Sequence, residues 1–273
     1  MLSRILEQFR RRPAVTPRQP YPHVNLFYWS PRDGSINFGD RLSSVVCRQI
    51  LASRYLSLDD QVERTSRLLA IGSILHFAEE GNHIWGSGWN GKVGEEHFKP
   101  ADLTVHAVRG PLTAEFLRKR GIHVPDVFGD PALLVPQLFK ERFRPDPVED
   151  YVFIPNLHDI ALVENQPNVV SPLWGWNVVV QAIMNARQVL ASSLHGLIVA
   201  EAFGIPARYV RLSEIEDPFK YKDYYLGSGR KEAEFSFASS IEEGLEMGGA
   251  PPIRYDPAPL MQAFPFELWQ RAA

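Results

Sequence analysis

From Val24 onward, short apolar runs alternate with longer stretches whose apolar residues recur every three or four positions. Short apolar runs bounded by polar residues predict strands; the 3.6-residue period predicts helices. "VNLFYW", "RLLAIG", "NHIWG" and "LTVHAV" predict strands, the last ending against Arg109. "GDRLSSVVCRQIL" predicts a helix with Asp40 near its first turn, and a short helix is expected from Ser73. "GPLTAEFLRKRG" predicts a helix with Pro111 in its first turn, basic residues in its last and Gly121 as its stop. "DVFGDPALLVP" adds a short strand and a turn.

"KERFRPDPVED" is charged, carries two prolines and reads as a linker, placed at 141–150. Beyond it the alternation resumes. "YVFIP", "NVVS", "QVLAS" and "ARYVRL" predict strands. "WNVVVQAIMNAR", "LHGLIVAEAFG" and "SSIEEGLEMG" predict helices, "PAPLMQAFPFELWQ" a terminal helix, and "DPFKYKDYYLGSGR" reads as a loop. The expectation is an α/β protein with two parallel-sheet domains, 21–140 and 151–250, after a basic segment 1–20 and before a segment 251–273 that packs back. Ligands in such sheets bind at the carboxyl ends of strands, here in a cleft between the domains.

Charge narrows the function. The chain has 29 basic and 32 acidic side chains, a formal net charge of -3, which argues against a nucleic-acid partner but leaves room for a local anion pocket. Cys47 is the only cysteine, so no intramolecular disulfide or cysteine metal cluster can form, which fits a reducing, cytoplasmic setting; Cys47 itself reads as a small buried hydrophobe. No apolar run is long enough to span a bilayer. The N-terminal "MLSRILEQFRRRPAVTPRQP" lacks a signal-peptide core. Its Leu2, Ile5, Leu6 and Phe9 lie at helical spacing, either as an interfacial anchor on an anionic membrane or as a frayed helix before a Pro-rich tail.

Several polar stretches fall at expected strand ends. In "SINFGDRLS", Asn37, Gly39 and Asp40 enter a helix, either with Asp40 as its cap and Gly39 as a turn or as reactive groups. "GSGWNG" offers backbone amides for an anion, and we do not read it as a dinucleotide-binding fingerprint. Arg109, at a strand end before a helix, suits a phosphate or carboxylate, or else forms a surface ion pair. In "SSLHG", Ser192 or Ser193 can cap a helix whose first turn holds His195, either an acid-base group or a packed core histidine. Lys220, Lys222 and Arg230, interleaved with Tyr221, Tyr224 and Tyr225, suit an anion or a stacked sugar, or a solvated loop. H-E-x-x-H, C-x-x-C, Asp-x-Asp and G-x-S-x-G motifs are lacking, so no metal site and no hydrolase nucleophile elbow is expected.

"NFGD", "AIGSILHFA", "WGSGWNGK", "AVRGPLTAEFLRKRGI", "GDPALLVP", "SSLHGLIVAEAFGIPA" and "FKYKDYYLGSGR" follow one another in this order. In this the chain resembles the polysaccharide pyruvyl transferases, most closely the xanthan-type ketal pyruvyltransferases, from about Tyr28 to the C-terminal "FELW". The resemblance implies a GT-B-like fold, two Rossmann-like domains facing a central cleft. It implies transfer of the enolpyruvyl carbons of phosphoenolpyruvate to a terminal hexose as a 4,6-ketal, mannose in xanthan, with release of phosphate. The acceptor would be a lipid-linked oligosaccharide at the cytoplasmic face of the inner membrane, and phosphoenolpyruvate a co-substrate with no other cofactor. His195 and Asp40 would then be the catalytic groups. Arg109, Ser192, Ser193, Gly196, Lys222 and Arg230 would bind the donor, and Asn37, Trp89, Asn90 and Tyr224 the acceptor. A yeast branch of the family has Arg-Leu-His-Gly where this chain has Ser193-Leu194-His195-Gly196, so Arg109, Lys222 or Arg230 must supply the cation in place of that Arg, or else the donor sits differently. The competing readings are a GT-B glycosyltransferase using a nucleotide sugar and a non-catalytic glycan-binding scaffold.

Overall fold

The computed structural model describes residues 21–31, 33–60 and 66–270. Four parallel strands form the first sheet: β1 (Asn25–Phe27), β2 (Arg67–Leu69), β3 (Asn82–Trp85) and β4 (Leu103–Ala107), side by side in chain order. An isolated parallel bridge from Val108 to Phe128 continues the sheet past β4. Helix α1 (Phe38–Ala52) begins where Asn37 accepts the Gly39 N–H, and buries Phe38, Leu42, Val46, Cys47 and Ile50. Helix α2 (Pro111–Arg118) leaves the end of β4 with Pro111 at its start, where a missing N–H costs nothing. A short helix α3 (Val135–Leu138) follows a 3-10 turn at Pro131–Leu134.

The second sheet holds β5 (Val152–Ile154), β6 (Val189–Ala191) and β7 (Ala207–Tyr209), again parallel. Bridges from Phe153 to Val169 and from Val210 to Ala238 extend it on both sides. Across the sheet the order is therefore 169, β5, β6, β7, 238, and the direction of winding reverses between β5 and β6. Such a reversal opens a crevice at the carboxyl ends of the two strands. The intervening helices are α4 (Ile160–Val163), α5 (Trp176–Met184), α6 (Leu194–Ala202), α7 (Phe219–Gly227), α8 (Ile241–Met247) and α9 (Ala258–Gln262). Ser193 caps α6 by accepting the Gly196 N–H.

The two halves share an apolar core. Phe38, Leu42 and Val46 of α1 belong to the same buried cluster as Leu133, Leu197 and Ile198. Full burial of such side chains stabilises by about 1.5–3 kcal/mol each. The stretch 141–150 joins the sheets and is anchored between them: Phe143 is buried, edge-on to Trp176 and Phe203. The C-terminal turns return to the first sheet, where Trp85 donates its indole N–H to the Leu260 carbonyl and meets Phe264 edge-on.

One expected loop is a helix. Residues 219–227 form α7, and the tyrosines that looked solvated are buried. Tyr221 stacks on Tyr209 at 3.8 Å and donates to the Ser192 carbonyl. Positions 221, 224 and 225 have the i, i+3, i+4 spacing of a buried helix face, hidden by the charged Lys220, Lys222 and Asp223 beside them. The basic segment 1–20 lies outside the described residues. Among the described residues, no helix is long and apolar enough to cross a membrane.

Candidate active site

The carboxyl ends of six strands converge on one cleft of about 260 Å³. From the first half, the loops after β1, β2 and β3 supply Trp29, Asn37 and Asp40, then Ser73, His76 and Phe77, then Asn90 and Lys92. From the second half, the loops after β5, β6 and β7 supply Asn156 and His158, Ser193 and His195, and Glu216, with Lys220 on the first turn of α7. The β5–β6 reversal thus places Asn156 beside Ser193 and His195. Ser192 links these two strand ends by accepting the Asn156 N–H through its hydroxyl.

His195 lies across from α1. Its ring packs on Gly39 so closely that a Cβ there would come within 2.2 Å of Nδ1. Gly39 is thus required by the imidazole, and the "NFGD" glycine has a steric reason. Asp40, next in the chain, is partly buried, and burial raises its carboxyl to about 6. His195 and Lys220 favour its ionised form, and Asp130 opposes it. A carboxyl titrating near 6 can give and take protons close to neutral pH.

A cation cluster forms the other wall. Glu216, buried, accepts from Lys92 Nζ at 2.8 Å and from Lys220, and faces His158 Nε2 at 3.4 Å. Burial works against the Glu216 carboxylate, but Lys220 and Lys92 outweigh it and hold it below its ordinary range. Burial also pulls the Lys220 ammonium below its ordinary value. Asn90 joins the site through its amide, 3.2 Å from His76 Nδ1, and Trp29, His76 and Phe77 give it an aromatic rim.

Of the residues singled out in the sequence, Asn37, Asp40, Asn90, Ser193, His195 and Lys220 line this cleft. Others lie elsewhere. Arg109 is fully buried, paired with Asp223 at 3.0 Å and donating also to Ser73 and to the Trp89 carbonyl. Each of its three nitrogens already has a partner inside the protein, and it does not line the cleft. Arg230 forms a bidentate pair with Glu201 at 2.6 and 3.0 Å and lies over the Tyr225 ring. Tyr224 is buried, its hydroxyl on the same Glu201. Lys222 pairs with Glu232 outside the cleft. Trp89 is buried, stacked on Phe116 at 4.3 Å. Ser192 and Gly196 are buried behind the lining, Gly196 against Ala191 and Ile154. For Arg109, Arg230, Tyr224 and Trp89 the physical reason is shared: partners distant in sequence engage them internally.

The glycines of "GSGWNG" follow β3 at G-x-G-x-x-G spacing, but no α-helix starts there; the next turn is 3-10, at Glu95–His97. A helix N-terminus for a pyrophosphate is therefore missing from that loop. Gly88 instead lets the Arg109 guanidinium approach, its Cζ only 2.3 Å from where a Cβ would sit. Sequence reading passed over Lys92, Asn156, His158 and Glu216; Asn156 directly follows the expected strand "YVFIP", and His158 and Glu216 lie within four residues of expected strand ends, the one signal that marks them. Among the described residues, no group of three or more His, Cys, Asp or Glu side chains is arranged to hold a metal.

Comparison with known proteins adds two findings. The profile of the family described as polysaccharide pyruvyl transferase matches residues 21–214. The chain is 23% identical over 230 residues to "Uncharacterized protein L143" of Acanthamoeba polyphaga mimivirus, covering 78% of each chain. It is 25% identical over 218 residues to "Succinoglycan biosynthesis protein ExoV" of Rhizobium meliloti, covering 72% of this chain and 63% of that protein.

Proposed function

The chain belongs to the polysaccharide pyruvyl transferase family, and from that premise we propose that its cleft transfers the enolpyruvyl carbons of phosphoenolpyruvate to a terminal hexose as a ketal. The observation that carries this reading is the pairing, in one cleft, of an accessible histidine with a cluster of surplus cations. Phosphoenolpyruvate brings a phosphate and a carboxylate. Lys92, Lys220 and His158 outnumber the single Glu216 carboxylate between them, and the start of α6 at Ser193 presents backbone amides beside them. Lys220 and Lys92 are accordingly the cations that replace the Arg of the yeast branch. The aromatic rim of Trp29, His76 and Phe77, with Asn37 and Asn90, receives the sugar.

The chemistry balances without a further cofactor. Two sugar oxygens bond to C2 of the donor, and the C2–O bond to phosphate breaks. One hydroxyl proton ends on the methylene carbon, which becomes a methyl; the other leaves with phosphate. His195 takes the first proton and delivers one to the methylene, and Asp40, titrating near 6, assists at the second hydroxyl. The Lys92–Lys220 pair offsets charge on the departing phosphate. The acceptor is a repeat unit of an exopolysaccharide, lipid-linked and met at the cytoplasmic face of the inner membrane, with mannose as the first sugar to try. The opposed parallel sheets are in keeping with a GT-B-like arrangement.

The test is incubation with phosphoenolpyruvate and a synthetic or lipid-linked mannoside, following phosphate release and acceptor mass. The expected result is release of one phosphate per acceptor that gains one pyruvate less water. His195→Ala is expected to lower turnover by ~10²–10⁴-fold with the fold intact. A mass gain from a UDP- or GDP-sugar and none from phosphoenolpyruvate would overturn the reading in favour of a glycosyltransferase.

A further inference from the structure

The two edges of the His195 ring have different surroundings. Nδ1 lies over Gly39 at the start of α1, between the cleft-lining residues Asn37 and Asp40. Nε2 is buried and has no hydrogen-bond partner. Across from it, at 3.6 Å, is Asp130 Oδ2, which is also buried and unpartnered. Among the described residues four buried side-chain atoms lack a partner, and these two face each other.

Asp130 has little freedom to turn elsewhere. It has no solvent exposure, and its other oxygen accepts the Ala132 N–H at 2.9 Å, capping the 3-10 turn that begins at Pro131. The cap fixes the direction of Oδ2. A buried carboxylate oxygen with no donor is unfavourable, and the Nε2–H of His195 is the donor it faces. At 3.6 Å the pair is longer than a hydrogen bond, and bonds of this kind commonly tighten only when substrate is bound.

We propose that Asp130 is a positioning residue for His195: it holds the proton on Nε2, leaves Nδ1 as the edge that exchanges protons in the cleft, and offsets the imidazolium when Nδ1 is protonated. This rests on His195 being the proton-transfer group of the proposed reaction. A histidine at the start of a helix is otherwise disfavoured as a cation by the backbone amides. A buried carboxylate behind it reverses that preference. The other charged and titratable groups in the neighbourhood are Asp40 on α1, Lys220 and Tyr224 on α7, and Tyr255. Asp130 is the one whose unpartnered oxygen addresses Nε2.

The first measurement needs no variant and no substrate. In ¹⁵N NMR of the wild-type chain, neutral His195 is expected as the Nε2–H tautomer; finding the proton on Nδ1 overturns the proposal. The second uses Asp130→Asn, which keeps the shape and the capping oxygen, with circular dichroism to confirm the fold. The new amide nitrogen donates where Oδ2 accepted, so the proton of neutral His195 is expected to move to Nδ1, and turnover to fall by ~10²–10⁴-fold with donor KM changed less than about threefold. An unmoved tautomer, or wild-type turnover, overturns the proposal. If neither chain turns over phosphoenolpyruvate while both tautomers are as expected, the Asp130–His195 pairing stands and the pyruvyl-transfer reading fails.

Discussion

Two carboxylate–cation clusters join the halves of this molecule, and both use α7 and its approach. In the first, Arg109 meets Asp223. Neither side chain has any exposure, and Asp223 also accepts the Thr113 N–H and hydroxyl at 3.0 and 2.6 Å. Each guanidinium nitrogen and both carboxylate oxygens have protein partners, away from solvent. In the second, Glu216 and Lys220 meet Lys92 across the cleft, with His158 beside them. One carboxylate there faces two lysines and a histidine, and Lys92 remains about one-third exposed. The same kinds of side chain thus make a closed joint in one place and an open, unevenly charged cluster in the other. What separates them is stoichiometry and access to water, neither of which a residue type conveys.

The comparison can be broken most directly at the joint. Asp223→Ala strands a buried guanidinium and is expected to remove about 3–5 kcal/mol of stability, read by denaturant unfolding. Glu216→Gln, in the open cluster, should remove less than half as much. Equal losses would mean that the two clusters are both structural.

Asp40 sharpens the contrast from the other side, as a cleft group that opposes stability. It titrates at about 6 in the folded chain against an ordinary 3.8. The folded chain therefore holds this proton more tightly than the unfolded chain. Stability is fully present below the unfolded value and falls as pH rises from about 4 to about 6. About two pH units correspond to at most about 3 kcal/mol. Asp40→Asn is expected to raise the melting temperature at pH 7, to flatten that fall, and to lower turnover. A melting temperature at pH 7 no higher than wild type would remove the premise that burial of this carboxylate is unfavourable.

The smallest effects separate the two lysines. Lys220→Ala removes the more buried charge and is expected to raise donor KM by ~10–100-fold, the range of a charge-assisted hydrogen bond. Lys92→Ala, more exposed, should raise it only a few-fold, and that contribution should fade as salt is added. Equal effects of the two would show that burial does not grade the cluster.

Most strands, the long helices and the His195 end of the site were legible in the sequence because their signals are local. "QVLAS" followed by "SSLHG" contains a strand, a cap and a first-turn histidine within ten residues. At α1 the helix start was legible but its cap was misplaced: Asn37 is the cap, and Asp40, read as the cap, lies inside the first turn. Arg109 shows the limit of such reading. Its charge and strand-end position are visible in the sequence, but Asp223, which saturates it, lies 114 residues away. The cation wall is assembled from loops after β3, β5 and β7, and no single stretch contains it. Asp130 was visible only as part of "GDPALLVP", where capping explains one oxygen and His195 the other. Helix α7 was misread because its lysines outweighed the spacing of its tyrosines.

The Arg109–Asp223 joint has a mechanical consequence. Two sheets separated by a ligand gap would by default rock against each other like jaws on a hinge. Here one jaw is riveted to the other at α7, the helix whose first turn carries Lys220 into the gap. Widening the gap by moving α7 away would pull Asp223 off Arg109 at a cost of about 3–5 kcal/mol. The distance from Lys220 to the β2 and β3 loops is therefore preset, and the molecule works as a fixed-gauge calliper for whatever enters.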